Sequence, residues 1–151
     1  MIESRPDATP GQLLARGTCR HLRQCHDFTC VEELTLASGL RVDVLALGPK
    51  GEVWIVECKS GVTDFRSDSK WQGYLDYCDR FFWAVDANFP VEILPDDTGL
   101  IFADGYDAAL IRLGPETRLA GARRKALTLR AARIAMTRLQ GWRDPDVISR
   151  R

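Results

Sequence analysis

The stretch from residue 40 to residue 59 restricts the fold of this chain more than any other. Residues 40–47 and 52–59 are both dense in Val, Leu, Ile and Trp, and Gly48-Pro49-Lys50-Gly51 between them is a strong turn signal, so the pair predicts two neighbouring β-strands. Those apolar strands carry Asp43 in the first and Glu57 and Lys59 in the second. Side chains alternate faces along a strand, which sends Glu57 and Lys59 to one side and Val56 and Cys58 to the other. An acid and a base among hydrocarbon are costly to bury without a partner. A divalent cation held by Asp43 and Glu57, with Lys59 beside it, is such a partner.

The rest of the chain supplies a frame for that pair. Residues 1–10 read as a flexible lead-in, and residues 11–24 as a short helix in which Leu13, Leu14, Cys19 and Leu22 alternate with arginines. Residues 28–36 form a strand ahead of a turn at Ala37-Ser38-Gly39, which makes the first three strands a meander. Thr63 or Asp64 can cap a helix reaching about Cys78, with Trp71, Tyr74, Leu75 and Cys78 as its apolar stripe. Residues 80–85 are a nearly all-apolar strand suited to a buried parallel position. Residues 99–103 and 108–113 make a further strand pair, and a last helix spans about 121–139. The expected class is α/β in the sense of a mixed α+β sheet, with an α-β-β-β-α-β core, an added β-hairpin and a C-terminal helix. One domain over 11–140 with a tail at 141–151 accounts for the 151 residues.

Composition narrows the setting. A hydrophobic share of 45% with 28% charged residues describes a globular protein rather than a disordered one. No stretch nears the roughly 18 apolar residues of a membrane span, and the first residues lack a signal-peptide pattern, so a cytoplasmic location and no membrane partner are expected. Five cysteines without a Cys-x-x-Cys pair predict reduced thiols. The zero net charge hides an asymmetry. Residues 112–151 hold eleven Arg or Lys against three acids, and the other 111 residues hold ten against eighteen. An acidic body with a basic end is compatible with local binding of a polyanion.

Hairpin geometry extends the candidate site. A turn centred near Ser38 places residues whose numbers sum to about 76 opposite each other, which sets Glu33 across from Asp43; a slip of one residue would offer Glu32 instead. Opposed carboxylates repel unless they share a cation. Oxygen ligands without nearby His or Cys suit Mg²⁺ or Mn²⁺ rather than zinc. Such an ion acidifies water and neutralises charge on a phosphoryl oxygen, and Lys59 is placed to orient that water or stabilise the transition state. The competing structural account is a Glu57–Lys59 ion pair at a sheet edge, with Asp43 making a hairpin contact.

Asp43 followed after the turn by Glu57-Cys58-Lys59, within α-β-β-β-α-β, resembles the PD-(D/E)XK nuclease superfamily of restriction-endonuclease-like fold. The longer pattern 53–60, Asp64-Phe65-Arg66-Ser67-Asp68, Lys70-Trp71, Tyr74, 78–82 and Leu94-Pro95 to 99–101 resembles more closely the MmcB-type bacterial DNA-repair proteins, over about residues 11–140. That resemblance implies an Mg²⁺-dependent DNA endonuclease or exonuclease acting in repair. It implies Asp43 and Glu57 as metal ligands, the Cys58 carbonyl as a further ligand and Lys59 as catalytic helper, to which the hairpin geometry adds Glu33 as a third carboxylate. Val42 stands where the nominal motif has Pro. The Gln-x-x-x-Tyr of exonuclease-like members is not kept, since Gln72 is followed by Asp76 and then Tyr77, although Lys70 and Gln72 remain DNA-contact candidates. The alternatives are a DNA-binding accessory protein without turnover and a protein-interaction domain.

Three further features have competing explanations. The last helix sets an apolar arc of Ala122, Leu129, Ala132, Met136 and Leu139 against an arc with Arg123, Arg124, Arg130, Arg133 and Arg138. The arginines suit successive DNA phosphates, or else a solvated face paired with the acidic body. Cys19, His21, Cys25, His26 and Cys30 fall in twelve residues, but their spacing matches no zinc finger, and buried thiols with surface histidines are expected. Of the aromatic residues between 71 and 83, only Tyr77 lies off the core stripe and is available to stack on a base. Cutting both strands of a duplex is compatible with a homodimer.

Overall fold

The computed structural model describes residues 8–147. Helix α1 (Pro10–His26) opens with a capping box, in which the Thr9 hydroxyl accepts from the Gln12 amide and the Gln12 side chain accepts from the Thr9 amide. Strands β1 (Thr29–Thr35), β2 (Arg41–Leu47) and β3 (Val53–Cys58) form the expected meander. A short helix α2 (Val62–Arg66) and a 3₁₀ segment (Trp71–Tyr77) cross to β4 (Arg80–Val85). A second 3₁₀ turn (Val91–Ile93) leads to β5 (Gly99–Ala103), then β6 (Ala108–Arg112), α3 (Gly121–Arg143) and a final 3₁₀ turn (Pro145–Val147). This α+β chain forms one six-stranded mixed sheet in the order β1-β2-β3-β4-β5-β6, parallel across β3–β4 and β4–β5 and antiparallel elsewhere.

Central position explains composition here. Every residue of β3 is buried, as is all of β4 after Arg80, because helices or crossovers cover both faces. One face packs Trp54, Val56, Cys58, Phe82 and Ala84 beneath α1. The other packs Val53, Ile55, Phe81, Trp83 and Val85 with Tyr74, Leu127 and Ala131. Alternation along β3 therefore puts Glu57 and Lys59 on the second face, as the sequence predicts.

Helix α1 approaches the β5–β6 turn so closely that a Cβ on Gly17 would lie 2.0 Å from the Asp104 carbonyl oxygen and 2.6 Å from that of Asp107. Both obstacles are backbone, so neither can swing aside. Gly17→Ala is expected to lower stability by about 1–3 kcal/mol, the range of overpacked cores, read from urea denaturation. A variant melting like wild type would show that the helix can shift without cost.

Three expectations need correction. The predicted helix from 63 to 78 is two pieces, because the Asp68 carboxylate accepts from the Lys70 amide at 2.9 Å and so replaces the backbone acceptor that a continuous helix would supply. Leu75, assigned to the stripe, is 41% exposed. The last helix runs on to Arg143, into the predicted tail, while residues 1–7 of the lead-in and 148–151 of the tail lie outside the described residues.

The orientation of α3 is also the reverse of the pattern-based one. Its buried residues are Leu127 and Ala131, with Leu129, Met136 and Leu139 left exposed. Arginines face the body instead. Arg130 donates to the carbonyl of Thr35 on edge strand β1, while Arg138 donates to those of Glu32 and Glu33. Charged donors to edge-strand carbonyls outweigh burying a few aliphatic side chains, and they cover an edge that would otherwise invite pairing.

Candidate active site

The antiparallel pairing of β2 with β3 runs from Leu47↔Val53 to Val44↔Val56, and the next residues, Asp43 and Glu57, stand where the two strands separate. Each carboxylate accepts from an amide of the opposite strand, Asp43 Oδ2 from the Cys58 N–H at 2.7 Å and Glu57 Oε1 from the Asp43 N–H at 2.9 Å. Side chains thus take over from the ladder as it ends. Glu57 is 4% exposed and Lys59 7%.

Lys59, two residues beyond Glu57 on the same face, is held by Asp68 at 2.8 Å, with Asp64 at 3.9 Å. Asp64 comes from α2 and Asp68 from the bend after it, so the break in the predicted helix is what brings a carboxylate to the lysine. Neither acid was assigned to the site from sequence, although two acids four residues apart, directly after Glu-x-Lys, are a legible signal.

Burial controls the electrostatics. It raises the Glu57 pKa to about 8, with the Asp43 charge adding to the effect, and it raises Asp43 despite the Cys58 amide. Burial would lower Lys59, but the hydrogen bond to Asp68 and the charges of Asp68, Asp64 and Glu57 outweigh it and raise the lysine. A pair of carboxyl groups that resists double ionisation beside a secured ammonium is the electrostatic shape of a cation site. The donor set fits a hard ion, since the atoms on offer are carboxylate oxygens and the Cys58 thiol lies on the opposite face of the sheet. Among the described residues no group of three or more His, Cys, Asp or Glu forms a complete cage. Two carboxylates with remaining positions left to water are what Mg²⁺ ordinarily accepts.

Glu33 does not join them. The register is the expected one, with Glu32↔Val44 and Leu34↔Val42 bracketing Glu33 opposite Asp43. However, Glu33 has φ 51 and is exposed, and its known contact is a carbonyl bond to Arg138. The alternation fails at this level in both strands: Val31 and Leu34 pack on the same face, and Val42 and Val44 on opposite faces. Predicting the facing of Glu33 required regular alternation.

The predicted DNA contacts divide. Arg124 is a structural residue, bidentate on buried Asp79 at 2.7 and 2.8 Å and bonded to the Gly51 carbonyl, so it is not available to a phosphate. Arg123 lies over the Tyr77 ring, 4.6 Å from its centroid, which also occupies the aromatic face offered to a base. Arg130 spends its Nε on Thr35, and Arg133, Lys70 and Gln72 are exposed. All five cysteines of the chain are free, three of them in the Cys/His segment, where the His21 and His26 Nε2 atoms are 3.2 Å apart.

No helix of the described residues is long and apolar enough to cross a membrane. A family model described as DNA repair protein MmcB-like matches residues 4–146. A solved structure of a protein of unknown function from Silicibacter pomeroyi is 57% identical, with a TM-score of 0.92 over 95% of this chain and 98% of that one. No curated protein matches the chain.

Proposed function

Because the chain belongs to the MmcB-like family of DNA repair proteins, we propose that it is a metal-dependent DNA nuclease of the PD-(D/E)XK superfamily, hydrolysing phosphodiester bonds during repair. One observation carries this reading: the carboxyl groups of Asp43 and Glu57 are pinned by the Cys58 and Asp43 amides at the parting of β2 and β3, with Lys59 on the same face. Asp43, Glu57 and the Cys58 carbonyl would hold Mg²⁺ or Mn²⁺, which when bound supplies Lewis acidity toward water and a phosphoryl oxygen. The chain's own contribution is placement. The Cys58 and Asp43 amides fix one oxygen of each carboxylate and leave the other for a ligand. Lys59, kept charged by Asp68, stabilises negative charge gathering on the phosphate. Exposed Lys70 and Gln72, just past Asp68, would meet the DNA backbone.

A second reading has its own observation. Lys59 at 2.8 Å from Asp68 is already neutralised, which is what a DNA-binding accessory protein that keeps the fold without turnover would show. Calorimetric titration of Mn²⁺ into wild type and Asp43→Asn, followed by cleavage assays on duplex, nicked, flapped and single-stranded DNA with Lys59→Met as control, separates the two. The nuclease reading expects metal binding that Asp43→Asn loses and cleavage that Lys59→Met loses. No metal binding with DNA present would sink it. Binding without cleavage of any substrate would assign the accessory role.

A further inference from the structure

Helix α3 carries an apolar surface that its own body leaves uncovered. Leu129, Met136 and Leu139 are 59%, 67% and 67% exposed, and Trp142 is 82% exposed. With Ala132 the three aliphatic residues follow a 3-4-3 spacing, which aligns them in one stripe along the side of the helix away from Leu127 and Ala131. Beside the stripe runs a groove of about 600 Å³, whose lining includes Leu129 and Ile134 together with Arg130, Arg133 and Arg138.

Charge decides what can cover it. The helix from Gly121 to Arg143 contains six Arg, one Lys and no acid. Arg123, Arg124, Arg130 and Arg138 are engaged with the body. Lys125, Arg133 and Arg143 are exposed. Lys125 lies seven residues before Ala132 and Arg143 seven after Met136, so both continue the stripe and close it with a positive charge at each end.

A second copy of α3 is a poor occupant. Antiparallel pairing in the register that sets Leu129 on Leu139 also sets Lys125 on Arg143, and parallel pairing sets each cation on its twin. DNA would neutralise the cations but leave the aliphatic residues and Trp142 wet. An amphipathic helix with large apolar residues on one face and Asp or Glu flanking them satisfies both parts of the surface. We infer that the outward face of α3 and its arginine-lined groove are a docking site for an acidic amphipathic helix of a partner protein. The exposed side chains of Leu129, Met136 and Leu139 make a patch on the scale of a small, transient interface.

The test uses the full chain and a designed helical peptide with leucines on one face and glutamates beside them. Trp142 fluorescence reports, with Trp142→Phe as the background for the three other tryptophans. Binding with a blue shift is expected, at least tenfold weaker for peptides with Lys in place of Glu or Ser in place of Leu. Met136→Asp and Arg133→Glu, both at exposed positions and checked for an unchanged thermal melt, are each expected to weaken binding at least tenfold. Four results would overturn the inference: no binding, equal binding of the Lys peptide, sedimentation showing a wild-type dimer that Met136→Asp dissociates, or a Trp142 blue shift with duplex DNA or phosphatidylserine vesicles that Met136→Asp abolishes.

Discussion

Asp79→Ala is expected to destabilise the fold by about 3–5 kcal/mol, the cost of breaking a buried ion pair from one side. The Asp79 carboxylate is buried and accepts four bonds: from the Val53 amide at 2.8 Å, the Leu119 amide at 2.8 Å, and the Arg124 guanidinium at 2.7 and 2.8 Å. Its own amide and carbonyl bond Val53 and Thr117. One side chain therefore ties the start of β3, the entry to β4, the segment before α3 and the first turn of α3. Alanine would leave two amides without acceptors and the Arg124 cation without its counter-charge, its bond to the Gly51 carbonyl aside. The pH dependence has a definite sign. Burial pushes the Asp79 pKa up, but the hydrogen bond from Arg124 and those from the two amides prevail and hold it at about 2, below its ordinary 3.8. The unfolded chain thus takes up the proton first on acidification. The stabilisation, on the order of 2 kcal/mol, is fully present above about pH 4 and is lost as pH falls toward 2. Urea denaturation at pH 7 and across pH 2–5 reads both effects. A loss below 1 kcal/mol at pH 7, or an acid slope unchanged in Asp79→Asn, would contradict this account.

Asp79 and Arg124 also mark where sequence reasoning ends. Strands β2, β3 and β4 were legible because an apolar run can be buried on both faces only in the middle of a sheet, and a turn centred near Ser38 predicted the observed β1–β2 register with a one-residue slip as the alternative. Glu57 and Lys59 were legible for the same reason, since regular alternation along β3 leaves one choice of face. Glu33 was not, because its left-handed backbone interrupts the alternation that the inference needed. Asp68 was hidden by a helical pattern whose apolar spacing is genuine but whose Ser67-Asp68-Ser69 prefers to bond its own backbone. The arginines of α3 were read as solvent-facing because periodicity separates two faces without saying which one meets the body. That depends on carbonyls of edge strand β1 about a hundred residues away in sequence, a tertiary demand that no local pattern records.

Glu57→Gln is expected to make the metal-free protein more stable at pH 8 and to abolish its response to Mn²⁺. Burial, and then the Asp43 charge, raise Glu57 from 4.5 to about 8, so the folded protein keeps this proton where the unfolded chain has lost it. Stability of wild type must then fall as pH rises from about 4.5 to 8, with the full cost of the carboxylate in place above 8. A Gln side chain retains an oxygen to accept from the Asp43 amide and adds an N–H to donate to the Asp43 carboxyl, without the second charge. The gain at pH 8 should be about 2–4 kcal/mol, and the slope between pH 5 and 8 should flatten. Wild type in excess Mn²⁺ should recover a comparable amount, about 2.7 kcal/mol at a hundred times the dissociation constant, because the ion binds only the folded pair. The variant should recover almost none. Thermal melts at pH 5 and 8 with and without Mn²⁺ decide it. A variant less stable than wild type at pH 8 would mean that Glu57 is there to hold the ends of β2 and β3 together. A variant that is more stable and deaf to Mn²⁺ would mean that the fold tolerates two opposed carboxylates for the sake of the ion between them.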